Sequence, residues 1–276
     1  SFLNSEFTDF TNYISRLFMN IKILVAAHKQ CEMPQDIVYL PIQAGKALHP
    51  DLDLGYQPDN EGENISEKNP YYSELTAIYW AWKNLQADYI GLAHYRRHFC
   101  FKRKKNDWDS ILTADEAQAL CKKYDLILPK MRKLYIETVY SHYDHTFDGK
   151  QFDNTRIIIS QLCPDYLPFF DKAMQRRCEH LFNMFIMKHE LFHQYCEWMF
   201  PILQKLETYY DLPNMDPFQA RLIGRISERL LDVWVMKNQL SYKEIDYIYF
   251  GKKNFHKKVI GFVMAKFFGK KYKQSF

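Results

Sequence analysis

A chain of 276 residues with 47% hydrophobic and 25% charged side chains can bury a sizeable core, and its composition is that of a globular enzyme rather than a disordered or fibrous protein. No apolar run approaches ~18 residues, which excludes a spanning helix. The net charge of +4 is unevenly spread: residues 252–276 hold eight Lys and no acid, so 29 basic residues face 33 acidic ones elsewhere, a balance that excludes a nucleic-acid-binding surface along the whole chain.

Aromatic residues reach 17%, with 20 Tyr, 21 Phe and 5 Trp. Core packing claims most of them, and flat apolar faces also suit sugar and base sites. The six Cys form no Cys-x-x-Cys pair and no zinc spacing, so they read as reduced thiols of a cytosolic protein. Met19 opens Met-Asn-Ile-Lys-Ile-Leu-Val-Ala-Ala-His-Lys as a natural start would. Residues 1–18 lack the pattern of a signal peptide and read as an extension or appended segment. The folded domain is expected over 19–251, followed by a basic, aromatic tail over 252–276.

In chain order, the apolar run Ile21 to Ala27 predicts a buried parallel strand, and Asp36 to Leu40 predicts a second. Gln43 to Lys68 is polar and turn-rich; composition leaves open whether it is ordered or mobile. Asn69-Pro70 supplies a cap and an N1 proline for a helix whose buried stripe is Leu75, Ile78, Tyr79, Trp82 and Leu85. Tyr89 to Ala93 is a strand that runs into His94-Tyr95-Arg96-Arg97-His98-Phe99. Thr113 and Glu116 form a capping box for a helix to about Lys123, and Asp125 to Pro129 is a further strand. Helices follow near 165–178, over 188–210 with a break or kink at Pro201, and over 217–238, where Asp216-Pro217 supplies the cap. Strands and helices alternate first and helices dominate later, which gives an α/β class with a mainly helical C-terminal part.

Ligands of open α/β sheets bind beyond the carboxyl ends of strands, where this chain presents His94, Arg96, Arg97 and His98 after the strand 89–93. Guanidinium groups bind phosphate oxygens in a forked geometry and keep their charge at working pH. His94 suits a metal, a phosphate or an acid role. The same pattern also fits a solvated loop. The run Phe101 to Lys105 resembles a single-strand contact, although a solvated charge run is the expectation beside an acidic body. His142-Tyr143-Asp144-His145 has metal-ligand residue types without a third ligand in register. Arg221, Arg225, Glu228 and Asp232 share one helix stripe, expected to be a solvated ion-pair face. No Walker loop, dinucleotide glycine fingerprint, HExxH motif or clear Asp-x-Asp is present.

Five segments together resemble a family of bacterial capsular and exopolysaccharide glycosyltransferases long catalogued as a domain of unknown function. They are Ile23 to Lys29, Asp59 to Asn84 with its Glu-Leu-Thr…Trp-x-Trp-Lys-Asn helix, the Gly-Leu-Ala-His-Tyr-Arg-Arg of 91–97, Asn183 to Met187, and Gln219 to Leu231. The resemblance implies a GT-A-like, Rossmann-type mixed sheet flanked by helices, and transfer of a sugar from a nucleoside diphosphate donor, with UDP-galactose in pyranose or furanose form as the expected donor. It places His28, Lys29, Asn69, Glu74, Arg96 and Arg97 on the donor, and Asn183 and His145 on the acceptor. Glu228 is then the catalytic base, with His94 as the second catalytic group. No cofactor is fixed, and Mn²⁺ or Mg²⁺ stays open. The implied acceptor is a glycan or lipid-linked oligosaccharide, met by a cytoplasmic protein bound peripherally at the inner face of the plasma membrane; no nucleic-acid partner is expected. A non-catalytic carbohydrate- or polyanion-binding protein and a nucleotidyltransferase are the rival readings.

Overall fold

The computed structural model describes residues 18–251; the 252–276 tail and residues 1–17 lie outside them. Eight strands form one mixed sheet, β3-β2-β1-β4-β5-β10-β6-β9, in which β4 also pairs with β9. Its parallel half comprises β1 (Ile21–Ala27), β2 (Tyr39–Gln43), the short β3 (Gln57–Pro58) and β4 (Tyr89–His94). The other half adds β5 (Arg97–Cys100), β6 (Leu126–Pro129), β9 (Phe185–Lys188) and β10 (Lys243–Tyr249). β10 runs parallel to β6 and antiparallel to β5, and β9 runs antiparallel to both β4 and β6. A two-stranded ribbon, β7 (Arg132–Lys133) with β8 (Cys178–Glu179), stands apart.

The period of two along the strands divides the core between the two faces of the sheet. Leu24, Ala26, Ile90 and Leu92 face a large helical layer, while Ile23, Val25 and Ala93 face a smaller cluster around Ile111, Leu112 and Leu120. Gly91 is required where β4 meets β9, because a Cβ there would lie 2.8 Å from the Phe185 carbonyl oxygen.

The helix expected from Asn69 is two helices, α1 (Asn69–Tyr72) and α2 (Leu75–Asn84). Ser73 breaks them at φ 53°, a left-handed conformation that a side chain adopts at a cost. The Thr113 capping box is present, with both reciprocal hydrogen bonds, at the start of α3 (Ala114–Cys121). Two helices without a clear sequence signal follow, α4 (Val139–Thr146) and α5 (Lys150–Leu162). They are succeeded by α6 (Leu167–Gln175), α7 (His189–Glu207), which carries Pro201 within its span, and α8 (Leu222–Lys237). The segment 43–68 is ordered around one buried carboxylate: Asp59 accepts from the Gly45 and Lys46 amides at 2.8 and 3.1 Å and from the Ser66 hydroxyl at 2.5 Å. Among the described residues no helix is long and apolar enough to cross a membrane.

Candidate active site

The carboxyl ends of β1 and β4 open into a cavity of about 1020 Å³, closed on the far side by α4 and α8. Its charge is one-sided. Six arginines line it (Arg96, Arg97, Arg132, Arg221, Arg225 and Arg229), against two carboxylates, Glu74 and Glu228. His28, His94 and His142 add three imidazoles, and Tyr95, Phe147, Phe182, Phe218, Tyr247 and Tyr249 add aromatic faces. A cationic cleft with flat apolar walls suits a polyphosphate joined to a ring system.

The turn between β4 and β5 aims its guanidinium groups through aromatic contacts. Arg96 lies 5.1 Å over Tyr95, and Arg97 lies 4.1 Å over Phe182 and 5.1 Å over Tyr249. His94 is bonded through Nε2 to the Phe182 carbonyl at 2.5 Å. Burial lowers its pKa below the ordinary histidine value, opposed by Glu74 and the Phe182 carbonyl. His28, at the end of β1, is lowered by burial and by the neighbouring Lys29, Arg221 and Arg96 charges, so it enters the site as a neutral imidazole near pH 7.

At the floor of the cavity, Phe182, which lines it, and Asn183, buried under it, hold consecutive left-handed conformations at φ 72° and 54°. This unusual turn ties three elements together. The Phe182 amide donates to Glu228 Oε2 at 3.1 Å, and the Asn183 amide group donates to Glu74 Oε1 at 2.8 Å and to the Gly224 carbonyl at 3.3 Å. Ser227 donates to Asn183 Oδ1 at 3.0 Å. Backbone strain of about 1–3 kcal/mol per residue persists only where the surroundings over-determine it. Here they are a buried hydrogen-bonded network beneath the two carboxylates of the cavity. Burial raises the Glu228 carboxyl pKa, and Arg229 opposes that rise.

The α8 stripe is not the solvated ion-pair face expected of it. Arg225 and Glu228 face the cavity, and Asp232 is buried, accepting from His180. Arg229, also buried, lies 3.1 Å from Glu179 and 3.3 Å from Glu228. Arg225 is sandwiched between Phe147 and Phe218, each ring 4.2 Å from its guanidinium carbon, and burial lowers its pKa to about 10. Arg221 is steered by Ser73, whose hydroxyl accepts from its Nε at 3.1 Å. A Cβ at Gly224 would come within 3.2 Å of Ser73, so α8 packs directly against the break between α1 and α2.

Of the residues expected on the donor, His28, Asn69, Glu74, Arg96 and Arg97 line the cavity, as do both expected catalytic groups, His94 and Glu228. Lys29 lies outside the lining, 5.6 Å over the Tyr95 ring. Asn183 is buried under the cavity as a support for Glu74 rather than a wall residue. His145 is turned to Glu137 at 2.7 Å and does not line the cavity; its neighbour His142 does. The His142–His145 segment holds no metal cluster: both imidazoles bond Glu137, Asp144 accepts from the Gly149 amide, and no group of three or more His, Cys, Asp or Glu suited to a metal occurs among the described residues. His98 is buried among Tyr39, Trp108 and Phe250 and belongs to the core. Phe101 to Lys105 is exposed, as a solvated charge run is.

Sequence reasoning missed Arg132 and Arg229, and it took His142 for a metal-ligand residue type rather than a residue of the cavity wall. Arg132 and His142 lie on a ribbon and a helix without strong periodic signals. Arg229 adjoins the expected polar stripe.

A model of the domain of unknown function DUF4422 matches residues 22–239. The chain belongs to this family. No curated protein matches it. Among solved structures, the DUF4422 chain is similar to the bifunctional glycosyltransferase WbbM in its apo form, at 30% identity and a TM-score of 0.78. The match covers 84% of this chain and 46% of that one, so the chain spans about half of the matched protein. The DUF4422 fold is thus a mixed α/β fold similar to a glycosyltransferase, and the arginine-lined cavity sits at the switch point where β4 passes from its parallel neighbour β1 to its antiparallel neighbour β9.

Proposed function

We propose that this protein is a glycosyltransferase that moves a sugar from a nucleoside diphosphate donor to a glycan or lipid-linked acceptor in capsule or exopolysaccharide synthesis. The observation that carries this reading is the concentration of Arg96, Arg97 and His28 at the carboxyl ends of β1 and β4, joined in the same cavity by Arg221 from the start of α8, in a fold similar to that of WbbM. A leaving diphosphate gains charge as the glycosidic bond breaks, and fixed guanidinium groups aimed at it stabilise the transition state more than the ground state. UDP-galactose, as pyranose or furanose, is the donor we favour.

Mn²⁺ and Mg²⁺ fit this cavity poorly. It offers only two carboxylates among six arginines, and one oxygen of each is already engaged, Glu74 Oε1 by Asn183 and Glu228 Oε2 by the Phe182 amide and Arg229. Hard divalent cations take several oxygen ligands. In this reading the guanidinium groups carry the neutralisation. Glu74, Glu228 and His94 then face the donor sugar, whose hydroxyls they bind.

A thermal-shift screen against UDP-, GDP-, CMP- and dTDP-sugars, with and without Mn²⁺, tests the proposal. Stabilisation by one sugar nucleotide is expected. No stabilisation by any of them at millimolar concentration would overturn it, and binding with no turnover on any acceptor would favour the carbohydrate- or polyanion-binding alternative.

A further inference from the structure

The wall of the cavity opposite the strand ends carries an imidazole, His142, bonded to a buried acid. Glu137 precedes the N-cap of α4 and is 5% exposed, yet it is an acid with two partners. Its Oε2 is bonded to His142 Nδ1 at 2.8 Å and its Oε1 to His145 Nδ1 at 2.7 Å. The histidines stand three residues apart on one helix face, so one carboxylate reaches both. Thr138 and Ser141 form a reciprocal capping box at the start of the helix, directly after Glu137. The two imidazoles have different surroundings: the His145 side chain is 43% exposed and off the cavity, while that of His142 is 15% exposed and lines it.

A carboxylate on Nδ1 selects the tautomer that carries its proton there and leaves the Nε2 lone pair free. His142 Nε2 has no hydrogen-bond partner among the described residues. This is the arrangement of a base oriented by an acid. Glu228, by contrast, has one oxygen occupied by both the Phe182 amide and Arg229 Nη1.

We propose that His142, oriented by Glu137, is the general base that activates the acceptor hydroxyl. The inference rests on the donor reading above and takes over the role expected for Glu228, which keeps its contact with the donor sugar. His142 Nε2 takes the proton of the acceptor hydroxyl as that oxygen bonds to the anomeric carbon. The bond from that carbon to the β-phosphate oxygen breaks, and its electron pair leaves with the nucleoside diphosphate among the arginines. The imidazolium that forms is stabilised by Glu137. A single displacement of this kind inverts the anomeric configuration.

The groups facing His142 are Glu137, Arg132 and Glu179. Burial lowers its pKa below the ordinary histidine value against the pull of Glu137, so the imidazole is neutral at pH 7. Activity then falls on the acid side, as pH drops through a value below about 6.5.

The test measures UDP binding by calorimetry and UDP release from UDP-galactose between pH 4.5 and 8.5, for wild type, His142→Gln, Glu137→Gln and Glu228→Gln. A nitrogen-resolved NMR spectrum of the imidazoles accompanies it. His142→Gln is expected to bind UDP as wild type does, to lose about 10²–10⁴-fold in turnover, and to lose the acid limb. Glu228→Gln is expected to keep that limb. Near-full turnover in His142→Gln, or a limb that disappears in Glu228→Gln instead, would overturn the assignment. Absence of UDP binding by wild type would bring down the donor reading alone, and the spectrum then decides the dyad. An Nδ1–H tautomer at His142 that is lost in Glu137→Gln supports it; an Nε2–H tautomer refutes it.

Discussion

Asn183 donates to Glu74 Oε1 at 2.8 Å from a residue whose own backbone lies in the left-handed region, at φ 54°. The side chain thereby joins the turn before β9 to the break between α1 and α2, and Gly224 and Ser227 of α8 complete the same network. The cavity inherits its shape from this buried junction of three elements, and the two carboxylates on its wall are positioned from below.

Replacing Asn183 by Ala therefore leaves Glu74 without its buried donor and removes one of the two acceptors of the Ser227 hydroxyl, which keeps the Gly224 carbonyl, at a cost of about 1–3 kcal/mol. Asn183→Asp is expected to be worse at pH 7, because it sets a second carboxylate against Glu74, and to recover part of the loss near pH 4, where protonation relieves the repulsion. Urea unfolding of both variants at the two pH values checks this. Equal destabilisation of Asn183→Asp at pH 7 and pH 4 would show that the two side chains do not meet.

Arg96→Ala and Arg97→Ala should each lower turnover by about 2–4 kcal/mol of transition-state stabilisation while changing stability little. Both guanidinium groups rest on aromatic faces, with no acidic hydrogen-bond partner among the described residues, so the fold loses no buried ion pair with them. Steady-state kinetics alongside thermal unfolding separates the two effects. Near-full activity in both variants would make the turn between β4 and β5 structural.

Much of this was legible in the sequence because the signals were local. The run Ile21 to Ala27, the strand ending at His94 and the Thr113–Glu116 box each declare themselves within ten residues, and the structure contains all three. The strand-end rule pointed to His94, Arg96 and Arg97 on the cavity wall, whereas His28, Asn69 and Glu74 came only from the family resemblance. The His142–His145 run was visible as residue types, but its place on the α4 wall and its shared carboxylate partner were not. Arg229 of α8 draws its meaning from Glu179, fifty residues earlier, and His142 from the buried Glu137 just before its helix. The α8 stripe misled for the same reason: charged residues at helical spacing read as solvated until a cavity and two phenyl rings are found against them. The strained pair Phe182–Asn183 left no trace in composition, since neither residue is glycine.

Buried His98 predicts an acid-sensitive fold. Burial lowers its pKa to about 4 from the ordinary value of 6.5. The folded state holds the ring neutral, so below pH 6.5 the unfolded chain binds the extra proton. Stability from this group is complete above 6.5, falls as pH drops through the window to 4, and changes no further below it. The full effect is about 3 kcal/mol. His98→Leu should flatten the stability profile between pH 6.5 and 4 in chemical denaturation. An unchanged slope would mean that the ring is protonated inside its Tyr39, Trp108 and Phe250 box.

The tail over 252–276 lies outside the described residues, and its chemistry is read from sequence alone. Eight Lys alternate there with Phe255, Val259, Ile260, Phe262, Val263, Phe267 and Phe268, with no acid among them. Each basic residue near an anionic leaflet contributes about 1 kcal/mol, and apolar side chains entering the headgroup region add to that. Gly261 and Gly269 disfavour a continuous helix, which argues for reversible electrostatic adsorption over deep insertion. Adsorption of this kind would bring the cavity to a lipid-linked acceptor and concentrate both in one layer. Sedimentation with anionic and neutral vesicles, comparing the full chain with one ending at Gly251, measures it directly. The full chain is expected to bind anionic vesicles, to release them as salt rises, and to lose the interaction on truncation. Equal binding to both vesicle types, or no loss on truncation, would leave the tail a solvated basic terminus.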